Sequence, residues 1–167
     1  MLIVHPNDKT TDFLCEIYSH INCEIIRECS KDVLSSKIKQ HDKIILLGHG
    51  TEDGLLGDGS LLISLDFVEL LKGKDCIYIW CNADQFVRKY GLSGFATGMI
   101  ISEVEEAYMY SITFKKEDIF ESNLSFTRAI APNILNDKHT ILSEFVKNYP
   151  LENNNITQFN KHNVFVF

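Results

Sequence analysis

Two short apolar runs, at residues 43–47 and 76–80, each stop just before a residue with a reactive side chain. The first reads Lys-Ile-Ile-Leu-Leu and leads into a Gly-His-Gly centred on His49; the second reads Cys-Ile-Tyr-Ile-Trp and leads into Cys81. Continuous apolar runs of this length are typical of strands buried on both faces of a parallel sheet. Because the carboxyl ends of parallel strands meet at one edge, we expect the imidazole and the thiol to lie together there.

The rest of the chain alternates between strand-like and helix-like segments, which predicts one α/β domain spanning residues 1–167 with a parallel sheet and helical crossovers. Further strands are predicted at 2–4, 24–28, 94–101 and 163–167, and a small hairpin around the Gly-Asp-Gly at 57–59. Helices are predicted at 10–21, after the cap Ser30, at 64–71 and 83–90, from Ser102 onward, and at 122–135 and 137–149, with a loop at 153–155.

Composition narrows the class of protein. The 167 residues are 45% hydrophobic and 23% charged, as in an ordinary soluble domain. A net charge of -7 argues against a nucleic-acid partner, and no apolar run approaches the roughly 18 residues of a membrane helix. The cysteines are odd in number and form no CxxC pair, so we expect reduced thiols, a cytoplasmic protein and no structural zinc: Cys15, Cys23, Cys29, Cys76 and Cys81.

The positions of Cys81 and His49 favour a nucleophile with its base. Cys81 precedes the predicted helix at 83–90, and a helix N-terminus lowers the pKa of a thiol and supplies N–H groups for an oxyanion. The glycine at Gly50 frees its own N–H for the same purpose. Cys76 begins its strand, at the opposite edge, and is expected in the core. His5 ends the first strand and would border the site; a metal site is not indicated by any spacing.

The order strand, His-Gly, small hairpin, helix, strand, Cys resembles the caspase-like cysteine peptidases, a group that includes caspases, metacaspases, gingipain and clostripain relatives, separase and the bacterial CHAT peptidases. Residues 48–57, Gly-His-Gly-Thr-Glu-Asp-Gly-Leu-Leu-Gly, are similar to the His-Gly box of that family and the hairpin behind it. Residues 98–107 resemble the CHAT and separase segment that follows the fifth strand, and residues 122–135 resemble the next CHAT helix. The resemblance covers most of the chain.

This resemblance implies a three-layer α/β/α sandwich around a mostly parallel sheet of about six strands. It also implies hydrolysis of a protein or peptide substrate through a thioester on Cys81, with His49 as acid and base and the backbone N–H groups of Gly50 and Cys81 as the oxyanion site. No cofactor is implied. The resemblance also implies an activating partner or a small signal molecule that switches the enzyme on.

In the separase-like and gingipain-like branches an acidic residue receives a basic P1 side chain, so the resemblance implies cleavage after Arg or Lys. Glu103 is the first candidate for this contact, with Ser102, Glu105 and Asp53 as further candidates for substrate binding. The same glutamates could instead serve only to favour the N-terminus of the helix that follows.

Other functions stay open at this point. Caspases carry Gln-Ala-Cys-Arg-Gly and CHAT proteins often Ser-Ala-Cys-x-Thr-Gly, whereas this chain has Trp80, Cys81 and Asn82 with no glycine close behind. A catalytically inactive caspase-like module that binds a partner is therefore an alternative. A doubly wound α/β protein that binds a small ligand is another, although no glycine-rich phosphate loop follows the first strand.

Overall fold

The computed structural model describes residues 1–149 and 154–167 of the chain. Its main sheet has six strands in the order β2-β1-β3-β7-β8-β9, parallel throughout except for β9, which runs antiparallel to β8. The strands of this sheet are β1 (Leu2–Val4), β2 (Glu24–Ile26), β3 (Lys43–Leu47), β7 (Asp75–Ile79), β8 (Phe95–Thr97) and β9 (Val164–Val166). A separate three-stranded antiparallel sheet follows β3 and consists of β4 (Gly50–Thr51), β5 (Gly54–Leu56) and β6 (Leu61–Ile63).

Helices cover both faces of the main sheet. They are α1 (Lys31–Lys39), α2 (Val68–Leu71), α3 (Ala83–Tyr90), α4 (Val104–Met109), α5 (Lys116–Ile130), α6 (Lys138–Asn148) and α7 (Asn155–Lys161), with 3₁₀ turns at Asp12–Ile17, Leu65–Phe67 and Ala131–Asn133. Among the residues described, no helix is both long enough and apolar enough to cross a membrane.

Alternate residues of the strands feed two separate cores, which confirms the predicted three-layer sandwich. On β3, Ile44 and Leu46 pack with the helices α1, α2 and α3, whereas Ile45 and Leu47 pack with α5, α6 and the first 3₁₀ turn. All four side chains are fully buried. Burial on both faces explains why β3 reads as an unbroken apolar run.

The segment at 10–21 is not the α-helix that its apolar spacing predicts. Only the short 3₁₀ helix Asp12–Ile17 forms there. The side chain and backbone carbonyl of Asp8 accept hydrogen bonds from Thr10 and Thr11, and these local bonds compete with regular helical ones. The first helix-like segment is therefore a tight polar turn that enters a short 3₁₀ helix.

Other boundaries also differ from the prediction: strand β2 ends at Ile26, α2 begins at Val68 after a 3₁₀ turn, and α5 ends at Ile130. Helix α5 begins at Lys116 rather than 122, because the Asp118 carboxylate accepts the Lys115 N–H at 2.8 Å and caps the helix earlier. Strand β8 is only three residues long, and Gly98 continues the pairing by donating to the Asn163 carbonyl at 2.8 Å. The predicted loop at 153–155 instead contains the start of α7, capped by Asn154; residue 153 lies outside the described residues.

Candidate functional site at the carboxyl edge of the sheet

The register of β3 against β7 places His49 and Cys81 at equivalent positions beyond the ends of these two strands. Lys43 pairs with Asp75 and Leu47 with Ile79, so the ladder aligns each residue with the one 32 positions later. Gly48 extends the pairing by donating its N–H to the Ile79 carbonyl at 3.0 Å. His49 and Cys81 each follow two residues beyond the last ladder pair, so the same offset of 32 separates them.

His49 and Cys81 also line one cavity, which confirms that they share an edge of the sheet. Its lining is completed by apolar side chains from the first 3₁₀ turn, β7 and α5 and by polar ones from the neighbouring loops: Thr11, Phe13, Leu14, Gly48, Ile79, Trp80, Thr97, Ile100, Ser102 and Phe126. The cavity has a volume of about 20 Å³. That is room for about one water molecule. A larger pocket of about 190 Å³ adjoins it and shares Thr11, Gly48 and His49 with it.

The imidazole of His49 is tied to the turn that follows β1. Its Nε2 atom lies 2.7 Å from the Thr10 hydroxyl, which in turn donates to Oδ1 of Asp8 at 2.8 Å. The second carboxylate oxygen of Asp8 lies 3.9 Å from the same ring nitrogen. The imidazole is half-buried, with 28% of its side-chain surface exposed, so it keeps contact with solvent.

The thiol of Cys81 has a different environment. Its Sγ atom lies 3.5 Å from the Ile100 carbonyl oxygen and 3.8 Å from Oε1 of Glu106, the two acceptors for its single proton. Burial, followed by the negative charge of Glu106, raises the pKa of Cys81 to about 12. The expected lowering of this pKa by helix α3 is therefore wrong for this conformation, because the sulfur faces a carbonyl and a carboxylate. Within the described residues, no hydrogen bond joins Cys81 to His49.

The carboxylate that reaches the thiol belongs to Glu106, which the sequence did not single out. Its Oε2 atom accepts the backbone N–H groups of Ser102 at 2.7 Å and Glu103 at 3.0 Å, and the Ser102 hydroxyl at 3.2 Å. These bonds form the capping box of α4 and hold the side chain in place. The spacing Glu-x-x-Glu from 103 to 106 is the sequence signal that could have identified it.

The residues predicted to bind substrate separate into two groups. Ser102 lines the cavity shared with Cys81 and His49. The other three are absent from its lining: Glu103 is the N-cap of α4, Glu105 is exposed, and Asp53 pairs with Lys89 at 3.0 Å. Glu103 and Glu106 form the capping box of α4, and the Glu106 carboxylate also faces the thiol.

The unusual Trp80 has a structural role that links the two strand ends. Its indole N–H donates to the Thr51 carbonyl at 3.0 Å, and the ring is buried, with 2% of its surface exposed. A Cβ on Gly50 would lie 2.1 Å from Cδ1 of this ring, so only glycine fits beneath it. Trp80 thus packs the small sheet that follows His49 against the strand that ends at Cys81.

Backbone hydrogen bonds orient N–H groups at both strand ends. Leu56 donates its N–H to the His49 carbonyl at 2.8 Å, so Gly50 and the facing Leu55 exchange no hydrogen bonds and the Gly50 N–H points away from β5. On the other strand, the Trp80 N–H donates to the Thr97 hydroxyl and the Asn82 N–H donates to the Gly98 carbonyl.

Two other candidates lie in the core. His5 is fully buried and bonds to the Tyr18 hydroxyl at 2.9 Å and to Thr11 at 3.2 Å, and burial lowers its pKa to about 4. It supports the turn beneath His49 and does not line the cavity. Cys76 is buried as predicted, with its pKa raised to about 11 by desolvation.

The fold and the site together define an α/β sandwich with a thiol and an imidazole on one sheet edge. Comparisons with protein-family models, with curated proteins and with solved structures find no match to this chain. Across the described residues, no group of three or more His, Cys, Asp or Glu side chains could hold a metal ion.

Proposed function

We propose that the chain is a cysteine endopeptidase of caspase-like type that uses His49 and Cys81. The observation that carries this proposal is the shared register: β3 and β7 pair with an offset of 32 residues, and the same offset separates the imidazole from the thiol. The cavity that both side chains line supports the same conclusion. Neighbouring strands lie about 4.8 Å apart, which leaves the two groups within reach of one substrate carbonyl.

The reaction proceeds through a thioester. Cys81 gives its proton to His49 and its sulfur attacks the carbonyl carbon, while the N–H groups of Gly50 and Cys81 bind the oxyanion that forms. His49 passes this proton to the leaving amine, and the carbon–nitrogen bond breaks. His49 then takes a proton from water, which attacks the thioester; as the carbon–sulfur bond breaks, His49 returns the proton to the sulfur, and the acid and the thiol are released. Acid–base help of this kind contributes about 10² to 10⁴ in rate, and one oxyanion donor about 10² to 10³.

The described conformation corresponds to a resting enzyme. With a pKa of about 12, the thiol of Cys81 is neutral at pH 7 and points to Ile100 and Glu106. The cavity that Cys81 lines also has room for only about one water molecule. Activation therefore requires the cavity to widen and the sulfur to leave Glu106, which binding of the substrate can bring about and which an activating partner or small signal molecule would enhance.

A basic P1 side chain suits this activation. We assign its recognition to Glu106 in place of Glu103, because Oε2 of Glu106 is held by three donors while Oε1 faces the thiol. A guanidinium or ammonium group at Oε1 would pair with the carboxylate and displace the thiol from it. Since the charge of Glu106 helps raise the pKa of Cys81, the same pairing would favour the thiolate.

A second candidate is the catalytically inactive caspase-like module that binds a partner. The neutral thiol, turned away from any bond to His49, is the observation that favours it. In that case the cavity would stay closed, and the thiol would remain unreactive under all conditions that leave the protein folded.

A panel of fluorogenic peptides that differ only at P1 tests the proposal. Wild-type protein and Cys81→Ala are assayed with Arg, Lys, Asp, Leu and Ala at P1, with Cys76→Ala as a matched control on the same strand. We expect turnover of the Arg and Lys peptides by wild type and Cys76→Ala only. Equal turnover by purified Cys81→Ala would contradict the proposal, and a preference for Asp or Leu would contradict basic specificity.

A further inference from the structure

A chain of two hydrogen bonds connects the catalytic imidazole to a carboxylate on another loop. We propose that Asp8, acting through the Thr10 hydroxyl, is a positioning residue that fixes the tautomer and orientation of the His49 ring. Its effect on turnover rests on the proposed peptidase function, but its effect on the ring does not.

The direction of each hydrogen bond follows from the partners. The Asp8 carboxylate accepts both the backbone N–H of Thr10 at 2.9 Å and its hydroxyl at 2.8 Å. These two bonds, in that order, lower the pKa of Asp8, so the carboxylate is ionised and has no proton to give. The single hydroxyl proton of Thr10 is therefore committed to Asp8.

The Thr10 oxygen can then only accept from the ring. Nε2 of His49 lies 2.7 Å from it and must carry the proton of that bond. In a neutral imidazole, the other nitrogen, Nδ1, is then left with the lone pair. The relay thereby selects Nδ1 as the atom that takes and returns protons during the proposed reaction.

The turn that presents Asp8 and Thr10 is anchored in the core. Thr11, the next residue, is 3% exposed; its hydroxyl donates to the Asp8 carbonyl at 3.1 Å and lies 3.2 Å from Nε2 of His5. His5 is fully buried and bonds to Tyr18 on its other side. An exposed hydrogen bond holds a ring in place only when its partner is itself held, and this anchoring meets that condition.

The test compares four variants with wild type. Thr10→Val removes the hydroxyl while keeping the shape, Thr10→Ser keeps the hydroxyl, and Asp8→Ala removes the acceptor of the hydroxyl proton. Asp66→Asn, at an exposed carboxylate that pairs with Lys31, is the charge-matched control. Two quantities are measured: the ring ¹⁵N shifts of His49 by NMR with the ring neutral, and kcat and KM on the best peptide.

We expect a single Nε2–H tautomer in wild type, Thr10→Ser and Asp66→Asn, and a mixture of both tautomers in Thr10→Val and Asp8→Ala. In the active enzyme, kcat should fall about 10-fold in the latter two while KM changes by less than about twofold. Unchanged ring signals in Thr10→Val would overturn the positioning role. If wild type lacked activity but the tautomers shifted as expected, the relay would stand and the peptidase proposal would fail.

Discussion

The two sides of the cavity differ in how ready they are for chemistry. On one side, His49 is half-exposed and joined through Thr10 to an ionised carboxylate. On the other side, the Cys81 thiol is desolvated beside Glu106, and its pKa is raised to about 12. The imidazole is already oriented, whereas the thiol is held in its neutral form. In the proposed mechanism, activation therefore requires a rearrangement around Cys81 and none around His49.

The largest effect is expected from removing either member of the pair. Cys81→Ala and His49→Ala should each lower turnover about 10³-fold or more, because each step of the thioester reaction needs both groups. Neither change should alter the fold, since both residues lie beyond the ends of their strands. Turnover by the purified variants is compared with circular dichroism and thermal unfolding. If either variant lost its folded structure together with its turnover, this expectation would be contradicted, because the loss of turnover would then come from unfolding.

Trp80 packs the small sheet that follows His49 against the strand that ends at Cys81, so its removal should destabilise the fold. Trp80→Ala deletes a buried ring that contacts Tyr78 and Phe86 edge to face, each with 5.7 Å between ring centroids. We expect the free energy of unfolding to fall by about 3–5 kcal/mol, as measured by urea denaturation. Leu65→Ala, at a side chain that is 61% exposed, is the control and should cost little. A loss below about 1 kcal/mol for Trp80→Ala would contradict its linking role.

Acid should lower the free energy of unfolding through His5, which supports the turn beneath His49. Burial lowers the pKa of His5 from 6.5 to about 4 in the folded state, so the unfolded chain binds a proton first as the pH falls. The stability that His5 contributes is present above pH 6.5 and is lost between pH 6.5 and 4, by at most about 3 kcal/mol.

Urea denaturation at pH 7 and pH 4.5 measures this loss. Wild type should lose more stability than His5→Gln over that interval, and the exposed His20→Gln should behave like wild type. Equal pH dependence in wild type and His5→Gln would show that His5 is not held neutral in the fold.

The smallest effect is expected from the charge beside the thiol. Glu106→Gln keeps a side chain that caps α4 but removes the negative charge next to Cys81, so the pKa of the thiol should fall. A shift of one unit would raise the rate of Cys81 alkylation by iodoacetamide about 10-fold at a fixed pH of 8. Glu105→Gln, on the same helical turn, is the control. An unchanged rate in Glu106→Gln would mean that burial alone keeps the thiol neutral.

The sequence predicts the edge of the sheet better than it predicts the state of the site. The unbroken apolar run at 43–47 specifies a buried strand, and its end positions His49 beside Cys81 without further information. The raised pKa of Cys81 depends first on burial and then on Glu106, 25 residues away, and no local pattern shows which of several glutamates turns toward the sulfur.

The turn after β1 shows a second reason why part of the site escapes prediction. Residues 10–21 have helical apolar spacing, yet the hydrogen bonds from Thr10 and Thr11 to Asp8 divert the backbone into a turn. The same bonds place the Thr10 hydroxyl against His49, a contact across 39 residues. Local propensity cannot reveal a partner that only the parallel sheet brings near.

One labelling measurement tests the central claim most directly. Wild type and His49→Ala are treated with a peptide chloromethyl ketone that ends in arginine, and the modified cysteine is identified by mass spectrometry. If Cys81 is a nucleophile served by His49, wild type should carry one adduct on Cys81, and His49→Ala should carry almost none. An adduct on Cys15, Cys29 or Cys76 instead, or equal labelling of Cys81 without the imidazole, would contradict the account.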